Sequence, residues 1–154
     1  MKDSARIYFN PLKIFVISLS FSYLIGEIFA IYMKLPSLIS IIGFVLLIIF
    51  FTTFFICLRE FYLHSEQPPP STPTEKIIKN GIYSYTRNPI YISFVGFQIS
   101  MFLLFGNLMY LLSSILLFLW IHFFVVLREE SYLSNKFGQE YEKYRRNVPR
   151  WVLF

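Results

Sequence analysis

The chain has 154 residues, 56% of them hydrophobic and 21% aromatic, with a mean hydropathy of +0.57. Soluble domains carry about 45–50% apolar residues, so an ordinary water-soluble fold is excluded. The formal charge of +5 invites a nucleic-acid reading, but the placement of the charges speaks for a membrane instead; the single cysteine, Cys57, excludes an intrachain disulfide and a cysteine metal cluster.

Residues 1–11 form a short polar leader. Four apolar segments follow, at 12–33, 37–58, 90–106 and 107–127. A helix needs about 20 apolar residues to span a bilayer, so the last two are somewhat short. Basic residues before the first segment suggest a signal peptide. Its apolar run exceeds the ~7–15 residues of a signal core, and no small-x-small cleavage site follows. It reads as a retained anchor. Glu27 is the one acidic residue within a predicted span. Such residues are functional hypotheses by default. It either snorkels to the outer interface or marks a proton-coupled site, as in small four-helix exporters. Met33-Lys34-Leu35-Pro36-Ser37 reads as a tight exterior turn.

The second helix is expected to end near Arg59-Glu60, opening a loop over 59–89. From His64 to Pro73, prolines at 68, 69, 70 and 73 exclude a helix, because proline lacks the backbone donor and fixes φ. This stretch reads as an extended linker. A polar cassette, Gly81-Ile82-Tyr83-Ser84-Tyr85-Thr86-Arg87-Asn88-Pro89-Ile90-Tyr91, closes the loop. Pro89 disfavours helical geometry at Asn88 and is well placed to open the third helix.

Residues 92–127 contain no Lys, Arg, Asp or Glu. The Gly106-Asn107 pair divides them, and that dipeptide is a turn signal. The segment is read as a helical hairpin, the alternative being one long broken helix. In the hairpin Tyr91 sits level with His122 and Asn88 with Val125, while Glu129 lies about two turns beyond His122 on its own helix. A second cassette begins at Arg128-Glu129-Glu130. A helix is expected over 128–147, with Leu133, Phe137, Tyr141 and Tyr144 on one side, ending before Pro149. It lies on the membrane surface, where its basic residues suit anionic headgroups, or folds back over the loop.

Thirteen of the 14 basic residues fall before the first segment, between the second and third, or after the fourth; Lys34 alone lies on the other side. Positive residues stay cytoplasmic. Both termini and the central loop are therefore expected in the cytoplasm, a parity that four crossings satisfy. The fold class is all-α: a single integral membrane domain of about four transmembrane helices plus a C-terminal helix. The expected location is the inner or plasma membrane, or the endoplasmic reticulum membrane in a eukaryote. Both cassettes then emerge on one side and meet. Their meeting place has a polar mouth and apolar walls, which suits an amphiphile or a polar cofactor beside an apolar substrate. Within it, Arg128 and Glu130 are substrate-binding candidates or a charged membrane-exit collar. His122 is a general base or a packing residue. Tyr83 and Tyr91 are ligand contacts or members of an interfacial aromatic belt.

The two cassettes resemble those of the isoprenylcysteine carboxyl methyltransferases and the related phospholipid methyltransferase-like membrane enzymes. The shared pattern is Gly81-x-Tyr83, Arg87-Asn88-Pro89-x-Tyr91, then, beyond a hairpin, Glu129-Glu130, Leu133, Phe137-Gly138, Tyr141 and Tyr144. It covers about residues 74–150. The resemblance implies S-adenosylmethionine as cofactor, contacted by Lys76, Ile77 and Ile78 before the glycine and by Tyr83, Asn88, Pro89, Ile90, Tyr91 and Glu129. It also implies a lipophilic small-molecule, lipid or prenylcysteine-like acceptor; Arg128, Glu130 and His122, singled out above from their positions, are the candidate catalytic set. Neither a nucleic-acid partner nor a metal is implied. Two departures stand out. Asn88 replaces a histidine common in relatives. Val125 occupies the place where prenylcysteine enzymes keep an arginine for the substrate carboxylate. A sterol-reductase-like enzyme with a nicotinamide cofactor uses a similar cassette and remains an alternative, as does a proton-coupled exporter built on Glu27.

Overall fold

A computed structural model describes residue 7, residues 9–69 and residues 72–152. Lys2 and Arg6 of the leader, and Pro70 and Ser71 of the proline-rich segment, lie outside the described residues. The described part is helical, with one isolated backbone bridge between Tyr32 and Asn107.

Helix α1 spans Pro11–Phe29, opened by Asn10, whose side chain accepts from the Leu12 N–H at 2.9 Å. It stops before the expected position 33. Ala30 takes a left-handed φ of 49°, and residues 31–33 turn away to bond elsewhere. The Leu108 N–H donates to the Ile31 carbonyl at 3.1 Å, and the Met33 N–H donates to the Gly106 carbonyl at 2.7 Å. The two turns at this end of the bundle are thus stitched together.

Helix α2 spans Ser37–Leu63, past its expected end near 58. Arg59 and Glu60 are ordinary helix formers and do not stop it. Ser65, at φ 57°, and then Pro68 do. A single 3₁₀ turn, Gly81–Ser84, precedes helix α3 at Pro89–Phe105, with Pro89 in its first turn. Helix α4 runs over Leu108–Trp120, capped by the Asn107 side chain. It continues without a break through a π turn, Ile121–Val126, into helix α5 at Leu127–Phe137. The expected boundary at 127/128 is therefore absent, since no breaker lies there. The break comes at Gly138, at φ 53°, and helix α6 follows over Gln139–Asn147. Gly138 splits the helix expected over 128–147 in two.

Three of these runs are long and apolar enough to cross a bilayer: Pro11–Phe29, Ser37–Leu63 and the continuous Leu108–Phe137. Helix α3 is apolar but shorter, at 17 residues. Helix α2 packs along α3, α3 along α4, and α4 along α1. The outward faces expose large apolar side chains at helical spacing, such as Ile41, Phe44, Val45, Ile48, Phe51 and Phe55 on α2, as expected for helices whose solvent is lipid. The inward faces carry small and polar groups. The Ser22 hydroxyl donates to that of Ser113 at 2.6 Å, the Ser113 hydroxyl reaches the Gln98 carbonyl at 3.3 Å, and the Gln98 amide donates to Ser18. Helix contacts within lipid rely on such close packing and interhelical hydrogen bonds, because lipid supplies no hydrophobic drive. This is an all-α, multi-pass integral membrane fold.

Candidate functional site

The chain's two cassettes meet at the end of the bundle opposite the stitched turns. Tyr91, in the first turn of α3, donates its hydroxyl to both carboxylate oxygens of Glu129, at 3.0 and 3.1 Å. Side chains on a helix lean toward its N-terminus. The long Tyr91 side chain therefore reaches past the level of His122 to Glu129, seven residues further on.

Around this bond lies a solvent-connected cavity with both polar and apolar walls. Helix α3 contributes Ile90 and Tyr91 to its wall, and α5 contributes Glu129, Glu130 and Leu133. Tyr141 and Tyr144 come from α6, and Phe61 from α2. The remainder is loop: Glu66 to Pro69, Thr74, Lys76 to Ile78, Tyr83, Arg87 and Asn88. The proline-rich segment, expected as a linker, is thus a wall of the cavity. It is held by the Glu66 carboxylate, which accepts from the N–H groups of Glu75 and Lys76 at 2.9 and 2.6 Å.

Of the predicted site residues, Lys76, Ile77, Ile78, Tyr83, Asn88, Ile90, Tyr91, Glu129 and Glu130 line this one cavity. Pro89 is buried behind it as the opening residue of α3. Arg128 is exposed and does not line it. His122 lies outside the lining too; its Nδ1 accepts from the Trp151 indole N–H at 3.3 Å. Val125 is fully buried in an apolar cluster with Tyr91, Phe94, Ile121 and Trp151. It faces the core, so an arginine there would meet hydrocarbon.

Glu130 has partners on two sides. Arg150 donates to both its oxygens, at 2.9 and 2.7 Å, and Arg87 Nη1 lies 2.7 Å from Oε1. The backbone joins the same two segments. The Arg87 N–H donates to the Pro149 carbonyl at 3.0 Å, and the side chains of Thr86 and Asn88 both donate to the Arg150 carbonyl, at 3.0 and 3.1 Å. Residues 149–151 therefore strap the first cassette to the second. The Tyr144 hydroxyl donates to the Tyr83 carbonyl at 2.7 Å. Burial pushes the Tyr141 phenol up to about 12 and raises those of Tyr144 and Tyr83 as well, so all three stay protonated. Among the described residues, Arg87 Nε is buried without a hydrogen-bond partner, and the buried Tyr83 hydroxyl has the buried Cys57 thiol as its neighbour. Arg87 and Tyr83 both line the cavity.

An apolar cleft of about 390 Å³ adjoins it, sharing Pro68, Pro69, Ile90 and Tyr91 and continuing along Pro11, Leu12, Phe54, Leu58 and Phe94. It lies between the N-terminal end of α1 and the C-terminal half of α2. Glu27 is remote from both. It is exposed, with its carboxylate accepting from the Tyr32 hydroxyl near the stitched turns. No cluster of three or more His, Cys, Asp or Glu suited to a metal occurs among the described residues.

Sequence reasoning did not assign roles to Arg87, Phe61, Tyr141, Tyr144, Arg150 or the Glu66–Pro69 wall. Arg150-Trp151 beyond the helix-ending Pro149 was the available signal: an arginine and a tryptophan past a helix end invite a docking partner.

A model of the phospholipid methyltransferase family matches residues 38–140. The protein-S-isoprenylcysteine O-methyltransferase of Schizosaccharomyces pombe is 38% identical over 80 residues, covering 49% of this chain and 32% of that protein. An uncharacterized protein of Haemophilus influenzae is 38% identical over 63 residues, which is 41% of this chain and the whole of that protein. The chain thus spans about a third of the yeast relative's length. No solved structure matches significantly.

Proposed function

The chain belongs to the phospholipid methyltransferase family, and from that premise we propose that it transfers a methyl group from S-adenosylmethionine to a lipophilic acceptor at the membrane surface. The observation that carries this reading is the Tyr91–Glu129 hydrogen bond, which joins the two cassettes inside one cavity. The cavity offers such a cofactor the Glu129 carboxylate and the rings of Tyr83, Tyr91, Tyr141 and Tyr144.

When bound, the cofactor supplies an electrophilic methyl group on a sulfonium. Displacement at that carbon needs chiefly alignment of two reactants, and the protein's residues provide it. Tyr91 fixes the Glu129 carboxylate, which accepts from ribose hydroxyls or an ammonium. The tyrosine rings offer flat faces to an adenine. Pro68 and Pro69 line both the cavity and the apolar cleft, so the two spaces share a wall. The cleft admits the apolar part of the acceptor from the bilayer, with a carboxylate, amine or thiol as the group to be methylated. Glu130, expected in the catalytic set, is instead a positioning residue held between two guanidiniums. Arg128 and His122 take no part in the transfer.

Both termini and the loop over 64–88 face the cytoplasm in this reading, since 13 of the 14 basic residues precede the first apolar segment, lie between the second and third, or follow the fourth. The exporter alternative loses its support, because Glu27 is exposed and engaged by Tyr32.

Calorimetric titration of the detergent-purified protein tests the proposal. S-adenosylhomocysteine should bind and nicotinamide dinucleotides should not. The reverse pattern would replace methyl transfer with a reductase.

A further inference from the structure

The apolar cleft beside the cassette cavity is one helical turn deep. Among the described residues its lining draws Pro11 and Leu12 from α1, Phe54 and Leu58 from α2, and Ile90, Tyr91 and Phe94 from α3, and goes no further toward the hairpin turn on any of them. From Ile90 to Phe94, and from Leu58 back to Phe54, the helical rise gives a depth of about 6 Å. At its upper end the cleft adjoins the Tyr91–Glu129 bond, because Tyr91 lines both spaces.

The lower end is a floor of aromatic rings. The Phe94 ring is 4% exposed. It stacks on that of Phe15 at 4.7 Å, with 9° between the planes, and lies 5.7 Å from that of Phe54. Three helices thus each send one phenylalanine to the same level. Beyond it the seams are shut. Between α2 and α3 the Phe50 ring fills the space over Gly96, where a Cβ would sit 2.5 Å from its Cε1. Between α1 and α3, Phe15 meets the Phe97 ring edge-on at 5.7 Å, and the Gln98 amide donates to the Ser18 hydroxyl. A chain that enters the cleft head upward therefore finds no continuation below Phe94.

We propose that Phe94, held between Phe15 and Phe54, is the specificity-determining residue of the acceptor cleft. It limits the apolar group recognised next to the methylated atom to about one helical turn in length. A single prenyl unit, a short branched alkyl group or one ring fills that space, and the remainder of a longer chain stays in lipid. Lipid is as apolar as the cleft, so a chain is selected here by fit and not by escape from water. Length beyond the floor then earns no affinity. The inference rests on the methyl-transfer reading and names the acceptor class for it.

The test uses the full chain in detergent with S-adenosylhomocysteine bound. The probes are prenyl, geranyl and farnesyl amines and the matching cysteine thioethers. Calorimetry gives each Kd as a mole fraction in the detergent, so that partition into the micelle cancels. In the unaltered protein, affinity should not improve from prenyl to geranyl or farnesyl. Phe94→Ala opens a cavity at the floor, and geranyl should gain about tenfold relative to prenyl as it fills that cavity. Affinity that climbs steadily to farnesyl in the unaltered protein shows that the cleft runs past Phe94 and overturns the proposal. An equal change for all three chains in the variant marks a core residue with no part in selection and overturns it too, as does failure of every probe to bind. Should Phe94→Ala not fold, Phe94→Leu should show the same shift to a smaller degree, and where neither folds the unaltered series decides alone. Unaltered protein that binds no S-adenosylhomocysteine sinks the methyl-transfer reading itself, an outcome distinct from any of these.

Discussion

The bundle has a buried polar cluster at each end, and the two are finished differently. At the hairpin-turn end Asn107 is 1% exposed and its side chain is used twice, accepting from the Met109 N–H at 2.9 Å and donating to the Ser22 carbonyl at 3.2 Å. Glycine makes room for it: a Cβ on Gly26 would sit 1.9 Å from Asn107 Nδ2, and one on Gly106 would sit 2.1 Å from the Met33 carbonyl oxygen. At the cassette end Arg87 is also buried, yet its Nε has no partner. Buried polar groups in proteins are almost always paired. A closed network holds helices together; an open one is completed by something that binds.

The contrast yields four expectations, from the largest effect to the smallest. Glu130→Ala should unfold the cassette end, since it leaves two guanidiniums facing each other. Breaking a buried pair costs about 3–5 kcal/mol, less the share of Arg150 that water already screens, and a drop in the thermal midpoint would register it. An unshifted midpoint would mean that the backbone strap alone holds residues 86–88 to 149–150.

Glu129→Ala should spare the fold and weaken S-adenosylhomocysteine by about 1.5–3 kcal/mol, read by calorimetry. Wild-type affinity in this variant would remove Glu129 from the site and leave the Tyr91 bond as packing.

Gly106→Val strikes the other cluster. Position 106 has φ 71°, and a side chain there meets the Met33 backbone. A stability loss of about 1–3 kcal/mol is expected from such overpacking, with ligand affinity per folded molecule unchanged. A parallel fall in affinity would show that the two ends are mechanically coupled.

Glu27→Ala should be nearly silent, within about 0.5 kcal/mol in stability and without effect on ligand binding or methyl transfer. Loss of function in this variant alone would revive a proton-coupled role.

How much of this was legible depended on the range of the signal. Hydrophobic runs marked the spans, and Gly106-Asn107 marked the hairpin turn because a glycine at positive φ and a capping asparagine are local requirements. The pairing of the cassettes was legible because two motifs flanked one uncharged hairpin. Boundaries failed where a charge was taken for a stop: α2 ignores Arg59-Glu60, and the α4–α5 run ignores Arg128. Gly138, part of the cited pattern, was the true break. Long-range partners left no trace in the pattern. Nothing in the spacing of Glu130 says that it faces Arg87 and Arg150, and nothing in the alternation of Pro68–Pro69 says that a linker is a wall. Val125 shows the opposite error. Its position on the helix suggested a site residue, but helix geometry alone does not say which face the core takes.

The strap over residues 149–151 bears on how the protein is made. The spans can enter the membrane as they leave the ribosome, but Glu130 gains Arg150, and His122 gains Trp151, only after those residues have been synthesised. At about 5–20 residues per second, the interval between Glu130 and Trp151 is on the order of seconds. Throughout it Glu130 has Arg87 for a partner but not yet Arg150. A nascent chain halted before residue 149 should therefore capture S-adenosylhomocysteine less well than the full chain.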